Sequence, residues 1–332
     1  MKAIVLAGGF GSRLKPLTDS CPKPLLRIAG KQMLDYTVAQ LHAYGINDIT
    51  YTLHYYANDI ISFCSGYREL RQGFVTELNP LGTCGGVKAA CGGAGDTFIV
   101  VSGDVINNID LSALMVTHYN SDALVTMAVT PVENPSLYGV VRLDGAKVTG
   151  FVEKPQDSAF GNLINCGVYV VDRRALRYVP ENTVFDFARD LFPILLGKGR
   201  LAAYRHEGYW SDIGDFAGYY KTNFDMTGGG FYPRVGNRRV ASLSLVPDGS
   251  GVYAADTAVL KGYTRNSIVG ESSVVDSAAS VTDCIVLDGA RADGIYSGAI
   301  IGRDFVIQVG PEHGVGHTIT KTFEKFFENS SN

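Results

Sequence analysis

The sequence holds only six cysteines in 332 residues, and no two of them are spaced as CxxC. That excludes a zinc ribbon and argues against a disulfide framework, so reduced thiols in a cytoplasmic protein are expected. No apolar run approaches the roughly 20 residues of a membrane span. The N-terminal apolar stretch, Ala3 to Ala7, is too short for a signal peptide and ends in glycines, so no membrane partner is expected. An excess of positive charge is also missing: 29 Lys and Arg stand against 33 Asp and Glu, a net charge of −4. Gripping a nucleic acid through its phosphates takes a basic face, so none is expected as a partner, whereas one small nucleotide needs only a few cationic groups. A GxxxxGK[ST] phosphate loop is absent, and the glycine run near the N-terminus is not a dinucleotide fingerprint because Leu14 stands where its third glycine would be.

What is present is a 46% apolar chain, enough for one large α/β domain and a smaller appendage. Ala3-Ile4-Val5-Leu6, closed by Gly8-Gly9, reads as a parallel strand entering a phosphate-binding turn. Leu34, Val38 and Leu41 mark a helix that Gly45 stops. Strands are predicted at Ile49 to Leu53, Phe98 to Val101, Ala123 to Val129 and Leu163 to Val171. Helices are predicted at Thr83 to Ala90 with Thr83 as N-cap, at Phe185 to Leu196 and at Phe216 to Phe224. Asp144-Gly145 between Val140–Arg142 and Lys147–Val152 reads as a hairpin. The alternation predicts a doubly wound, mostly parallel, Rossmann-like sheet over residues 1–227. Thr227-Gly228-Gly229-Gly230 is a plausible boundary. Beyond it Val269, Val275, Val281 and Leu287 recur every six residues, which points to a short parallel β-helix over 228–332, with a β-sandwich as the alternative; Thr318 to Asn332 reads as a helical tail.

Five clusters carry chemistry. Gly8-Gly9-Phe10-Gly11-Ser12-Arg13 follows the first strand; glycines let backbone N–H groups come close to phosphate oxygens, and Arg13 adds forked donors, though the same residues also make an ordinary tight turn. Lys23 stands between Pro22 and Pro24, either a stiffly mounted charge for one phosphate oxygen or a solvated lysine. Ser102-Gly103-Asp104 ends an apolar strand, where ligands gather in open α/β sheets; Asp104 suits Mg²⁺ or a helix N-cap. Asp212, in Trp210-Ser211-Asp212-Ile213-Gly214, completes a metal pair if it meets Asp104, and otherwise belongs to a packed turn. Glu153-Lys154 and Asn165 offer partners for sugar hydroxyls and a phosphate, or an exposed pair at a strand end.

The order of these clusters, together with Asn79-Pro80-Leu81-Gly82-Thr83, Tyr138-Gly139-Val140 and Asn165-Cys166-Gly167, resembles the sugar-1-phosphate nucleotidylyltransferases over about the first 220 residues. The C-terminal repeat looks like that family's left-handed β-helix appendage. Within the family the chain looks closest to members using GTP and mannose 1-phosphate, through Leu81-Gly82-Thr83, Asp186-Phe187 with Asp190-Leu191-Phe192-Pro193, and Gly208-Tyr209-Trp210. The resemblance implies a nucleotide site of Leu6, Ala7, Gly8, Gly9, Gly11, Ser12, Arg13, Lys23, Leu81, Gly82 and Thr83. It implies a sugar-phosphate site of Gly139, Glu153, Lys154 and Asn165, and Mg²⁺ on Asp104 and Asp212, with Arg13, Lys23, Asp104 and Asp212 as the catalytic set. A homo-oligomer is expected. UTP or dTTP with glucose 1-phosphate is the alternative substrate pair, and a non-catalytic sugar-nucleotide sensor the alternative of another class. A hexapeptide-repeat acyltransferase would need a longer repeat array and a histidine among the repeats.

Overall fold

The computed structural model describes residues 1–156, 160–227, 243–246, 249–309 and 317–320. Its chain forms two compact units. The first holds Met1–Leu26 and Gln32–Ile213; the second holds Arg27–Lys31, residues 214–227 and the described residues from 243 onward. The helix at Phe216–Thr227, expected to close the first domain, thus falls in the second unit. The glycine run expected as the boundary lies outside the described residues apart from Thr227.

In the first unit, β1 (Lys2–Leu6) comes before helix α1 (Met33–Ala43); along the chain between them lies a short ribbon of β2 (Arg27–Ile28) and β3 (Lys31–Gln32), of which residues 27–31 belong to the second unit. Then follow β4 (Asp48–Leu53), α2 (Ala57–Cys64), β5 (Arg71–Thr76), α3 (Gly82–Ala90), β6 (Thr97–Ser102), β7 (Val105–Asn107), α4 (Leu111–Tyr119) and β8 (Val125–Pro131). The hairpin β9 (Gly139–Asp144) and β10 (Lys147–Glu153), then β11 (Leu163–Asp172), α5 (Phe192–Gly197), β12 (Leu201–Arg205) and β13 (Trp210–Asp212) complete it. The main sheet runs β5-β4-β1-β6-β11-β8-β12-β10-β9. β5, β4, β1 and β6 are parallel, but β11 is antiparallel to β6 and β8, and β10 to β12 and β9. The expectation of a mostly parallel sheet is therefore corrected to a mixed one. The hairpin and the reversed β11 need no crossover helix, so that half escapes the βαβ pattern.

The continuous apolar runs of the central strands are explained by burial on both faces. Ala3 and Val5 of β1 join Ile99 and Val101 of β6 in a core with α1, α2 and α4; Ile4, Phe98 and Val100 point the other way, into a core with α3 and α5. The period of two along each strand thus serves two cores. β1 and β6 flank the point where the strand order reverses, which puts their carboxyl ends at the expected ligand crevice.

In the second unit the chain visits three stacks of short parallel strands in rotation. Tyr253 pairs with Ile268, Ile268 with Ile285, and Ile285 with Ile300; the other stacks run Val259–Val274–Arg291 and Tyr263–Ser280–Ile295. Val269, Val275 and Val281 are buried inside, as their spacing predicts, but the next inward residue is Val286 rather than Leu287. The tight corner at Asp283, with a left-handed φ of 52°, shortens the step by one residue. Asn266 (φ 42°) and Gly298 (φ 60°) turn the matching corners, and these are residue types that tolerate that conformation. The expected tail helix is corrected at its start: His317–Thr320 is a strand paired with Phe305–Gln308, and residues 321–332 lie outside the described part.

Candidate active site

Lys23 is the centre of the site. It opens a single turn of 3-10 helix, Lys23–Leu25, with Pro22 and Pro24 fixing the backbone on either side. Its ammonium lies 2.6 Å from Asp104 Oδ2 and 3.8 Å from Asp212 Oδ1. Asp104 follows β6, and Asp212 ends β13; β13 runs antiparallel to β7, with Asp212 opposite Val105, and Ile213 N–H donates to the Asp104 carbonyl at 3.4 Å. Two strands of three residues thus bring together carboxylates more than a hundred positions apart. The Ser102 hydroxyl donates to Asp104 Oδ1 at 2.5 Å. Dehydration by the surrounding protein would raise the Asp104 carboxyl, but the charge and hydrogen bond of Lys23, with the Ser102 hydroxyl, hold it below the usual carboxylate range.

This donor set fits a magnesium ion. Mg²⁺ takes one or two carboxylates and draws its remaining ligands from water and substrate phosphates, and both carboxylates already converge on one cation, the Lys23 ammonium. Among the described residues no group of three or more His, Cys, Asp or Glu forms a fuller metal cage.

Two neighbouring cavities share Leu6, Thr83, Ser102 and Asp186. The first, of about 300 Å³, is lined by Ala7, Gly8, Gly9, Phe10, Lys23, Gly82 and Asp104, with His54 and Glu77 opposite. Among the described residues the N–H groups of Gly8, Gly9, Phe10 and Gly11 have no protein acceptor, the condition an anion cradle requires. The second, of about 410 Å³, is lined by Glu153, Lys154, Gly167, Tyr169 and Arg189. Burial raises the Glu153 carboxyl, opposed by Lys154 and Arg189.

Several sequence candidates sit behind these walls. Gly11 has φ 62°, and a Cβ there would stand 2.9 Å from Thr18 and 3.2 Å from the Lys23 side chain, so this glycine lets the turn close on Lys23. Arg13 is exposed in the following turn, Ser12–Leu14, and neither it nor Ser12 lines the first cavity. A side chain at Gly139 would strike Phe151 and the Glu153 carboxylate, so the bare backbone leaves room for Glu153. Asn165 donates to the Tyr169 hydroxyl at 2.9 Å and accepts from Gly167 N–H at 3.1 Å, bracing the bulge in β11. Thr83 is not the N-cap of α3; Leu81 is, without a side-chain bond. The Thr83 hydroxyl bonds Asp186 at 3.0 Å and Phe187 N–H at 3.0 Å, while the Phe185 carbonyl accepts from Cys84 and Gly85 N–H.

Glu77, His54 and Arg189 were not singled out from the sequence. Glu77 stands two residues before the Asn79–Thr83 cluster; its Oε2 takes the Leu81 N–H at 2.8 Å, its carbonyl meets His54 Nδ1 at 2.8 Å, and burial raises its carboxyl. Nothing in the sequence marks Arg189.

Residues 2–228 match the family profile described as nucleotidyl transferase. A mannose-1-phosphate guanylyltransferase from Mycobacterium tuberculosis is 32% identical over 307 residues, covering 91% of this chain and 83% of that protein. Mannose-1-phosphate guanylyltransferase 1 from Arabidopsis thaliana is 30% identical over 312 residues, covering 88% of this chain and 82% of that protein. The chain belongs to the nucleotidyl transferase family. The solved structure of HddC from Yersinia pseudotuberculosis complexed with GMP-PN matches at 29% identity with a TM-score of 0.58, over 68% of this chain and 99% of that one. Among the described residues no helix is long and apolar enough to cross a membrane.

Proposed function

We propose that the protein transfers GMP from GTP to mannose 1-phosphate, making GDP-mannose and releasing pyrophosphate. The observation that carries this is the Lys23–Asp104–Asp212 cluster at the edge of two adjoining cavities, one walled by glycine backbone and one by Glu153, Lys154 and Arg189. The choice of base and sugar is supported by the mannose-1-phosphate guanylyltransferases to which the chain is similar over about nine-tenths of its length.

In the proposed reaction a phosphate oxygen of the sugar attacks the α-phosphorus in line. The bond from that phosphorus to its bridging oxygen breaks, and pyrophosphate leaves with the electron pair. The attacking oxygen is already anionic, so no protein base is needed and the protein contributes position and charge. Lys23 neutralises the α-phosphate. Gly8, Gly9, Gly11 and Ser12 give the triphosphate its backbone cradle, and Arg13 swings from its exposed turn onto the departing β,γ-phosphates. Leu6, Ala7, Leu81, Gly82 and Thr83 line the nucleoside. Lys154 takes the sugar phosphate and Glu153 the hydroxyls, with Gly139 and Asn165 supporting the wall. Asp104 and Asp212 would hold Mg²⁺, which when bound supplies Lewis-acid neutralisation of phosphate oxygens.

The short parallel strands of the second unit from 253 onward are proposed to form a short left-handed β-helix that joins copies of the chain into a homo-oligomer. The six cysteines form no disulfide and four of them are buried, which supports a cytoplasmic setting.

The test is a grid of four NTPs against mannose, glucose, galactose and N-acetylglucosamine 1-phosphates with Mg²⁺, read as pyrophosphate release. Release with GTP and mannose 1-phosphate is expected. Release with UTP or dTTP and glucose 1-phosphate instead would replace the substrate pair, and silence in every well from a folded, nucleotide-binding protein would favour the sensor.

A further inference from the structure

Two of the three members of the ion cluster stand beside the places where the chain passes from the first unit to the second. The passages fall after Leu26 and after Ile213. Lys23 is four residues before Arg27, and the intervening turn has little slack: Leu26 N–H donates to the Lys23 carbonyl at 3.1 Å, between prolines at 22 and 24. Asp212 is two residues before Gly214, and α6 (Phe216–Thr227) follows at once.

Inside the second unit these two entering segments are tied together and held from outside. The Tyr219 hydroxyl of α6 donates to the Arg27 carbonyl at 2.9 Å, and Ala29 N–H donates to Asn223 Oδ1 at 2.9 Å. The Arg27 guanidinium is forked. Nη1 and Nη2 meet the two carboxylate oxygens of Glu271 at 2.9 and 3.3 Å, and Nε meets Asp288 Oδ2 at 2.9 Å. Asp288 also takes the Glu271 N–H through Oδ1 at 2.9 Å, so the two acids are fixed relative to each other. A rigid fork on two bonded acids specifies geometry as well as charge, which an isolated surface pair does not.

We propose that Arg27 is a positioning residue: anchored on Glu271 and Asp288, it fixes the segment that carries Lys23 and so holds the Lys23 ammonium where turnover requires it. Arg27 touches no substrate in this assignment. The inference rests on the reading of Lys23 as the charge that neutralises the α-phosphate.

The experiment uses the full chain with Arg27→Ala and Arg27→Lys. Misplacing a catalytic charge by about an ångström slows chemistry far more than it weakens binding. In Arg27→Ala, kcat is therefore expected to fall about tenfold or more, with the KM for GTP moving less than about threefold. Arg27→Lys, which keeps the charge and loses the fork, restores only part of kcat. A second reading needs no turnover. Trp210 is the only tryptophan, two residues before Asp212, and its indole N–H donates to the Cys166 carbonyl at 3.0 Å. Its quenching by acrylamide is expected to rise in Arg27→Ala. Wild-type kcat together with wild-type quenching in the folded variant overturns the proposal, as does a change confined to KM. Should Arg27→Ala fail to fold, the Glu271→Gln and Asp288→Asn pair takes its place under the same two readings. Should the wild-type protein release pyrophosphate with no substrate pair, the proposed reaction falls, and quenching alone decides the role of Arg27.

Discussion

Lys23 exposes only 9% of its side chain, and a charge so enclosed is costly unless a carboxylate pairs with it. Asp104 is that partner at 2.6 Å, and it is itself about a third exposed, as a group that must also meet ligands should be. In Asp104→Asn the amide oxygen can still accept from Lys23, and the amide NH2 that replaces Oδ1 can donate to the Ser102 hydroxyl, so the fold should survive with a modest fall in melting temperature. The lost charge should cut pyrophosphate release by about a hundredfold or more, the scale of losing one preorganised electrostatic group. Near-normal release from the folded variant would remove Asp104 from the catalytic set. Lys23, Asp104 and Asp212 were legible in the sequence because each is a charge beside a backbone constraint: two prolines, a strand end, a glycine. That Asp212 meets Asp104 was not legible, since it depends on pairing two three-residue strands separated by most of the domain. Glu77 and Arg189 were missed for a related reason: their walls are built by turns from different elements, and no local spacing signals them.

At the scale of elements, the wall proposed for the nucleotide depends on how α3 begins. Gly82 has φ 74°, and a Cβ there would stand 2.7 Å from the Phe185 carbonyl oxygen and 2.9 Å from its nitrogen, both rigid backbone atoms. The Phe185 segment cannot retreat without loosening its bonds to Leu81, Cys84 and Gly85, which are 2.8 to 3.0 Å long. Gly82→Ala therefore meets backbone strain of about 1–3 kcal/mol and a steric clash together. The expected result is a lower melting temperature and a several-fold rise in the KM for the nucleotide; wild-type values for both would show that the turn relaxes without effect. Elements with continuous apolar runs, such as β1, β6 and β11, were legible, because burial on both faces writes the run directly into the sequence. β5 was not: it is an edge strand, half exposed, with Gly73 in its middle. Nor was α4, whose Leu111, Leu114 and buried His118 lie among exposed Val116 and Tyr119, so that no clean apolar stripe stands out.

For the whole molecule, the six-residue period announced the second unit but not its reach. The spacing of valines reports which residues face inward, while the capture of Arg27–Lys31 and α6 by that unit is a matter of ion pairs and hydrogen bonds with no periodic signature. The same unit motivates the expectation of assembly. Its outward faces differ: Ile268, Ile285 and Ile300 are buried, whereas on the stack Tyr263–Ser280–Ile295 the first and last residues are 58% and 85% exposed, and Val259 on the neighbouring stack is 42% exposed. Tyr263 and Val259 lie on the first strands of their stacks and Ile295 on the last, so large apolar side chains are left at the ends, where a further repeat or a second chain would cover them. Covering one large apolar side chain contributes about 1.5–3 kcal/mol, and in a twofold interface each counts twice. Two such residues therefore reach the same range as the association cost of about 4–15 kcal/mol, and a closed pair needs only modest further contact. Light scattering at micromolar concentration is expected to give the mass of at least two chains, and Ile295→Asp with Tyr263→Ser is expected to shift it to one. A single-chain mass for the wild-type protein would leave these side chains as scattered surface apolar residues and would withdraw the second unit from any role in assembly.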